Sequence, residues 1–215
     1  MVKTAVLVSG GGTNLQAIID AKIFGELKNC DLSAVISSNP DAYAIRRSEN
    51  ANIPVYIIDR AIFPNKASFS EAILKKLTDL DIELVVLAGF NYVLSGTVAK
   101  EFENKIINIH PSLIPAFCGD GYYGLRVHQE VLDYGVKLSG ATAHFVTAET
   151  DDGPIIIQKA TEILVDDTPV SLQRRIMEEI EWLILPQAIN LFCDGRLSVH
   201  GRRVKIAPAV EETEK

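Results

Sequence analysis

Val6-Leu7-Val8-Ser9-Gly10-Gly11-Gly12-Thr13-Asn14-Leu15-Gln16 is the run whose reading decides the fold. Val6–Ser9 is apolar and valine-rich and reads as a strand. Leu15, Ile18 and Ile19 follow at helical spacing. Glycines between a strand and a helix let backbone N–H groups approach an anion, where the helix dipole favours negative charge. A tight strand–helix turn alone is the alternative, but three consecutive glycines exceed what a turn requires. Thr13 and Gln16 fit a capping box that sets the helix start. The dinucleotide fingerprint fails, because its third glycine falls on Leu15 and no carboxylate follows the second strand. The Walker pattern fails for want of Gly-Lys-Ser/Thr. A phosphate monoester is the better match.

Outward from this run, strands and helices alternate. Leu32–Ile36 is a second strand, ending in Ser37-Ser38-Asn39-Pro40, and residues 41–50 read as helical. Val55–Ile58 is a third strand, Ser68–Leu80 a helix, Glu83–Phe90 a fourth strand and Ile106–Ile109 a fifth. Buried runs alternating with helices predict an α/β fold: a doubly wound, mostly parallel sheet with helices on both faces. The pattern then changes. Gly121–Gly135 holds a helix, two extended segments cover 139–147 and 154–163, and Ala148–Gly153 joins them. Residues 169–193 predict one long helix, kinked at Pro186. Short basic strands at Leu197–Val199 and Arg202–Ile206 lead to a tail expected to fray over 208–215. We expect a single domain over 1–207, with a Rossmann-like nucleotide-binding half at 1–105 and a catalytic half at 106–207.

Composition bounds the function. The chain has 215 residues, 47% hydrophobic and 23% charged, enough for a sizeable core. No stretch approaches the ~20 apolar residues of a membrane span, and the N-terminus lacks a signal-peptide pattern. Cys30, Cys118 and Cys193 are widely spaced, as expected of reduced thiols in a cytoplasmic protein. No Cys-x-x-Cys or His-x-x-x-His pair offers metal-ligand spacing, so no metal is expected. The formal charge of −7 argues against a nucleic-acid surface but leaves small anionic substrates open.

Ile106-Ile107-Asn108-Ile109-His110-Pro111 carries the chemistry. Side chains alternate along a strand, so Asn108 and His110 project together from its end. In an α/β sheet that is where ligands are handled. A satisfied polar pair closing the strand would explain these two alone. Asp151 changes the balance. An amine attacking a carbonyl-level carbon creates an oxyanion that needs donors, and Asn108 and His110 supply them. Proton transfer needs a group titrating near neutrality. A carboxylate beside His110 would favour its protonated form and hold its ring, and Asp151, in the connection after a strand, is the best candidate.

With these motifs in view, the chain closely resembles the phosphoribosylglycinamide formyltransferase (glycinamide ribonucleotide transformylase) family over about residues 3–200. The resemblance rests on Ser9–Gln16, Val86-Leu87-Ala88-Gly89-Phe90, Asn108–Pro115, and His144-Phe145-Val146 followed by Asp151–Ile156. It implies a formyltransferase fold and transfer of a formyl group from 10-formyltetrahydrofolate to the amine of glycinamide ribonucleotide, without a metal. Asn108 and His110 match the oxyanion-stabilising amide and the proton donor. Asp151 matches the aspartate that supports the histidine and assists proton transfer. Gly12, Thr13 and Asn14 match the segment holding the phosphate. Glu178, Glu179, Ile180 and Glu181 match the helix segment at the ribonucleotide, with Glu181 on the ribose hydroxyls. Asn91, Tyr92, Val93 and Leu94, together with Thr147, Ala148, Glu149, Thr150 and Asp151 and with Asn108, match the folate pocket, so that the half at 106–207 also binds folate. Lys66 falls where the family carries a basic folate contact. A monomer or weak homodimer is expected, with no nucleic-acid or membrane partner.

Two departures stand out. Asn91-Tyr92 replaces the family's frequent Met-Arg. The loop Ala116–Gly124 is longer than in many relatives, and its glycines and aromatic residues suggest a lid over the folate or a loop packed down on its own side chains. His144 reads as a hydrogen-bonded core histidine, His128 as a surface or supporting residue, and His200 as surface. Arg174 and Arg175 read as solvated or salt-bridged. Formyltetrahydrofolate deformylase and a non-catalytic nucleotide-binding module are the rival functions. Methionyl-transfer-RNA formyltransferase would require an RNA-binding domain and a less acidic chain.

Overall fold

A computed structural model describes residues 1–209, so the expected tail lies from residue 210 onward outside the described residues. The chain runs β1 (Val2–Val8), α1 (Thr13–Ile23), β2 (Cys30–Ser37), α2 (Ala44–Asn50), β3 (Val55–Ile57), α3 (Lys66–Asp79), β4 (Leu84–Leu87), α4 (Gly96–Glu101) and β5 (Ile106–His110). It continues through α5 (Leu125–Tyr134), β6 (Leu138–Phe145), β7 (Ile155–Glu162), α6 (Pro169–Ile176), α7 (Trp182–Cys193), β8 (Leu197–His200) and β9 (Arg203–Ile206). Among the described residues these strands form one sheet, in the order β3-β2-β1-β4-β5-β6-β7-β9-β8. The pairings from β3 through β5 are parallel, as is β7 with β9. Strand β6 runs antiparallel to both β5 and β7.

Alternation along the strands explains two cores. On β1, Val6 and Val8 face Leu15 and Ile18 of α1 and the apolar side of α7. Ala5 and Leu7 face Phe69, Ile73 and Leu77 of α3 and Val98 of α4. Both faces of the sheet are therefore covered, which is what fully apolar central strands require. The chain winds from β1 out to β3, then returns to β4 on the other side of β1. That reversal opens a crevice at the carboxyl ends of the strands. Two bonds tie its lips: Ser9 N donates to Gly89 O (3.1 Å), and Asn91 N donates to Ser9 Oγ (3.0 Å).

Several expectations change in detail. The capping box does not form. Gly12 occupies the cap of α1 with φ +70°, and no side chain caps the helix. Position 12 itself must be glycine, since a Cβ there would lie 2.7 Å from Ala44 Cβ of α2. Thr13 instead donates to Met177 Sδ (3.3 Å), and Gln16 accepts from Arg47 (3.0 Å). The expected single helix over 169–193 is interrupted well before Pro186: a π-type turn at Met177–Glu181 separates α6 from α7. Pro186 stays buried inside α7. Such turns often re-aim side chains at functional sites. The helix expected within Gly121–Gly135 forms as α5, preceded by Gly121 and Gly124 at φ +87° and +57°. Helix α4 and a short 3-10 turn at Arg60–Ile62 were not anticipated from the sequence.

The β6–β7 connection is tightly constrained. A Cβ on Gly153 would fall 1.7 Å from Phe145 O, whereas one on Gly96 would meet only Ala148 Cβ at 3.8 Å. Gly153→Ala is expected to lose about 1–3 kcal/mol through overpacking. Gly96→Ala, at a helix start with room, should be neutral or stabilising. Urea unfolding midpoints at constant slope measure both, and equal midpoints for the two variants would contradict this account.

Candidate active site

Strand β5 delivers two polar residues to one face. Ile107 and Ile109 belong to one core and Ile106 to the other, so Asn108 and His110 share the Ile106 face. The antiparallel register sets His144 opposite Asn108 and Thr142 opposite His110. Cross-strand neighbours on one face touch, and Asn108 Nδ2 lies 3.1 Å from His144 Nε2.

The direction of that bond follows from the other end of the ring. His144 Nδ1 lies 2.9 Å from Phe145 O, and a carbonyl only accepts. Nδ1 therefore carries the proton. Burial outweighs the charge of nearby Asp151 and lowers the His144 pKa below its ordinary value, so the ring is neutral and Nε2 accepts. Asn108 must then turn its NH2 group toward His144. The second Asn108 N–H faces Asp151 Oδ1 at 3.5 Å, the outer limit of a hydrogen bond.

Asp151 joins the group from the β6–β7 connection, where its backbone sits at φ +53°. Aspartate tolerates this left-handed conformation better than most residues. Its Oδ2 lies 3.3 Å from His110 Nδ1 and accepts from Gly119 N at 3.0 Å. His110 Nε2 lies 2.9 Å from Phe117 O. Both nitrogens of the His110 ring thus face oxygen acceptors, and only the imidazolium donates to both. Phe117 is itself held at φ +50°, an unusual conformation for a bulky residue. Its ring turns away and packs edge-on against Tyr134, with centroids 5.8 Å apart.

This cluster opens into a cavity of about 490 Å³. One end is walled by Asn91, Tyr92, Val93 and Leu94, with Thr147, Glu149 and Thr150 across from them. The other end holds Asn14, Met177 and Glu181. Glu181 is 8% exposed and accepts from Asn14 Nδ2 at 2.7 Å. Burial pushes its carboxyl pKa up, partly offset by the Asn14 bond. A buried carboxylate with one donor has room for more.

The structure does not bring every expected residue to the cavity. Glu178 and Glu179 are exposed on the outer side of the π-type turn, and Glu178 pairs with Arg174 at 2.8 Å. Ile180 is in the core. Lys66 is exposed at the start of α3, and neither it nor Ala148 lines the cavity. Gly12 and Thr13 sit behind Asn14 at the start of α1. Among the described residues, no acceptor takes the N–H groups of Gly11, Gly12, Thr13 or Asn14, while the Gly10 and Gly11 carbonyls bond to Ala44 N and Arg47 Nε. Arg175 is salt-bridged to Asp167, and His200 is exposed. Tyr122 and Tyr123 of the long loop line the cavity, whereas Phe117 packs down beside α5. Among the described residues, no group of three His, Cys, Asp or Glu is placed to hold a metal ion.

Sequence reasoning missed the position of His144 in the strand-end cluster and the burial of His128. His144 stands on alternate strand positions from Thr142, a signal that becomes informative once β6 is paired with β5. His128 of α5 is fully buried in the cavity wall, not at the surface. Burial, with a smaller contribution from the charge of His110, lowers its pKa from 6.5 to about 4. The unfolded chain therefore takes up a proton that the folded chain refuses. His128 adds no pH dependence well above pH 6.5; its effect is a loss of stability as pH falls from 6.5 toward 4, levelling below. Wild type is expected to lose more stability across this window than His128→Phe. Denaturant midpoints for both proteins over that range check it, and parallel losses would show that the ring titrates as freely as in the unfolded chain.

Comparison with known proteins agrees with this architecture. The formyl transferase family model matches residues 2–189. The chain is 39% identical to the phosphoribosylglycinamide formyltransferase of Haemophilus influenzae over 197 residues, covering 92% of this chain and 90% of that protein. It is 38% identical to the trifunctional purine biosynthetic protein adenosine-3 of Gallus gallus, covering 92% of this chain and only 19% of that longer protein. The crystal structure of glycinamide ribonucleotide transformylase 1 from Symbiobacterium toebii superposes with a TM-score of 0.90 at 43% identity, over 97% of this chain and 95% of that one. With the fold, the strand-end cluster and these likenesses together, the chain belongs to the formyl transferase family, and within it to the phosphoribosylglycinamide formyltransferases.

Proposed function

We propose that this enzyme transfers a formyl group from 10-formyltetrahydrofolate to the amine of N1-(5-phospho-D-ribosyl)glycinamide, giving formylglycinamide ribonucleotide and tetrahydrofolate in purine biosynthesis. The observation that carries this reading is the Asp151 carboxylate, 3.3 Å from His110 Nδ1 and 3.5 Å from Asn108 Nδ2, between the two ends of one cavity. The acceptor's phosphate takes the free N–H groups at the start of α1, and its ribose hydroxyls meet Glu181. The reduced folate fills the end walled by Tyr92, Val93 and Leu94.

The amine attacks the formyl carbon, and the carbonyl oxygen becomes an oxyanion. His110 turns Nε2 from Phe117 O to this oxygen, and Asn108 exchanges its long contact with Asp151 for the same oxygen. Charge-assisted donors are the stronger kind, so His110 carries most of the stabilisation. Asp151 keeps the imidazolium paired while the oxyanion forms. The proton lost by the attacking nitrogen reaches the departing folate nitrogen by way of the His110–Asp151 pair. Transfer to water, as in a deformylase, would leave the Asn14–Glu181 end without a role. A nucleotide-binding module would have no use for the Asn108–His110–Asp151 cluster.

A direct assay tests the reaction: the protein is mixed with 10-formyltetrahydrofolate and the ribonucleotide, and the absorbance of the folate product is followed. Product formed equally fast without the ribonucleotide would favour the deformylase. Within this scheme, His110→Ala and Asp151→Asn are each expected to lower turnover at least a hundredfold, the usual loss of a pre-organised oxyanion donor or its support. Acting as one unit, the double variant should be little slower than the worse single variant, and fully additive losses in a kinetic cycle would separate the two residues.

The glycine loop allows a second test. A Cβ on Gly11 meets nothing within 4 Å, whereas one on Gly12 strikes α2. Gly11→Ala should therefore keep the melting temperature but raise KM for the ribonucleotide well above any change in KM for the folate. Gly12→Val should lose stability regardless of substrate. An unchanged ribonucleotide KM in Gly11→Ala would move the phosphate away from this loop.

A further inference from the structure

One buried polar side chain of the cavity has no part in the scheme above. His128, on α5, is fully buried, and neither of its ring nitrogens meets a hydrogen-bond partner among the described residues. Native proteins rarely leave a buried imidazole unpaired, because each unmet donor or acceptor is costly. A group of this kind in a ligand cavity is explained when the ligand supplies the partner.

The position narrows the ligand. Helix α5 packs on α6, which brings Gln173 to the same cavity wall, next to the Met177–Glu181 turn. His128 is also close enough to His110 to feel its charge. It thus lines the cavity near both the Met177–Glu181 turn and the reacting centre at His110. On the function proposed above, on which this inference rests, the part of the acceptor that spans this interval is its glycinamide group. We propose that His128 is a specificity contact for the acceptor, donating a ring N–H to the glycinamide carbonyl.

The chemistry is consistent with this role. Burial keeps the ring neutral, as the depressed pKa of about 4 indicates. A neutral donor suits a neutral amide, and it places no positive charge beside an amine that must approach the formyl carbon. The contact also separates the glycinamide compound from a ribose phosphate lacking that group.

Two substitutions test it. His128→Phe removes the polar atoms and keeps an aromatic ring, and His128→Gln keeps a donor. Removing an unpaired buried polar group should leave the melting temperature of His128→Phe unchanged or raised. Its KM and calorimetric Kd for the glycinamide ribonucleotide should rise about threefold to tenfold, the usual range for one neutral hydrogen bond. KM for the folate and the affinity for D-ribose 5-phosphate should not change, and His128→Gln should recover part of the loss. A lowered melting temperature with both KM values intact would make His128 a structural residue and overturn the proposal. An equal loss for ribose 5-phosphate would overturn the glycinamide assignment. Wild-type protein that binds the ribonucleotide without transferring formyl would overturn the proposed reaction and leave the contact itself measurable by calorimetry.

Discussion

The site depends on accommodating one largely buried carboxylate. Burying a lone carboxylate costs several kcal/mol, and only pairing and hydrogen bonds offset that cost. Asp151 meets the requirement with three donors: His110 and Asn108 at the end of β5, and Gly119 N in the long loop. Each must be in position at once. The β6–β7 connection must place Asp151, so Gly153 must lie flat against Phe145 O, which leaves no room for a side chain. The same Phe145 carbonyl fixes the His144 tautomer, and His144 in turn orients the Asn108 amide. Backbone packing and proton placement are therefore one problem. A shift at Gly153 reaches Asn108 through two hydrogen bonds.

The parallel half of the fold was legible because its strands are buried on both faces. Such strands read as unbroken apolar runs, and β1, β2, β4 and β5 carry few polar residues at their centres. What came out less well depended on contacts between distant residues. Thr13 and Gln16 fit a capping box by local pattern, but in the fold Thr13 bonds to distant Met177 and Gln16 to Arg47, and Gly12 takes the cap. Pro186 suggested a kink by local rule. The irregular turn lies instead at Met177–Glu181, where it turns Met177 and Glu181 toward the cavity. Local chemistry named the possibilities, and tertiary packing chose among them.

The candidate site divides the same way. Asn108 and His110 were readable from alternation alone, since one strand fixes their common face. Asp151 was readable as a carboxylate in a glycine-containing connection, though its reach to His110 was not. His144 reads as a core histidine, and it is buried and hydrogen-bonded as such a residue would be. Its partner, however, is Asn108 on the neighbouring strand, and only the antiparallel register reveals that. The stretch Glu178–Glu181 carried weight as a block. The π-type turn divides it, sending Glu181 inward, Ile180 into the core and Glu178 to a surface pair with Arg174. His128 gave no usable signal, because burial of a helix face depends on α6 packing over it.

The two ends of the cavity are prepared in opposite ways. Around Asp151 nearly every polar group is paired: both His110 nitrogens, both Asp151 oxygens and both His144 nitrogens have neighbours. On the proposed function, reaction there exchanges partners, with Phe117 O and Asp151 Oδ1 giving way to the oxyanion. Exchange costs less than creating a donor, because the dipoles are already oriented before substrate arrives. Toward Asn14 and Glu181, where the proposed function seats the acceptor, groups are unpaired: Asn14 Oδ1 and both His128 nitrogens lack partners among the described residues, and buried Glu181 has one donor. Those unmet groups lower the stability of the free protein, and a ligand that pairs them recovers that loss as binding energy. A sheet buried on both faces can tolerate such a deficit, because its two cores hold the strand ends in place whether or not the acceptor is bound.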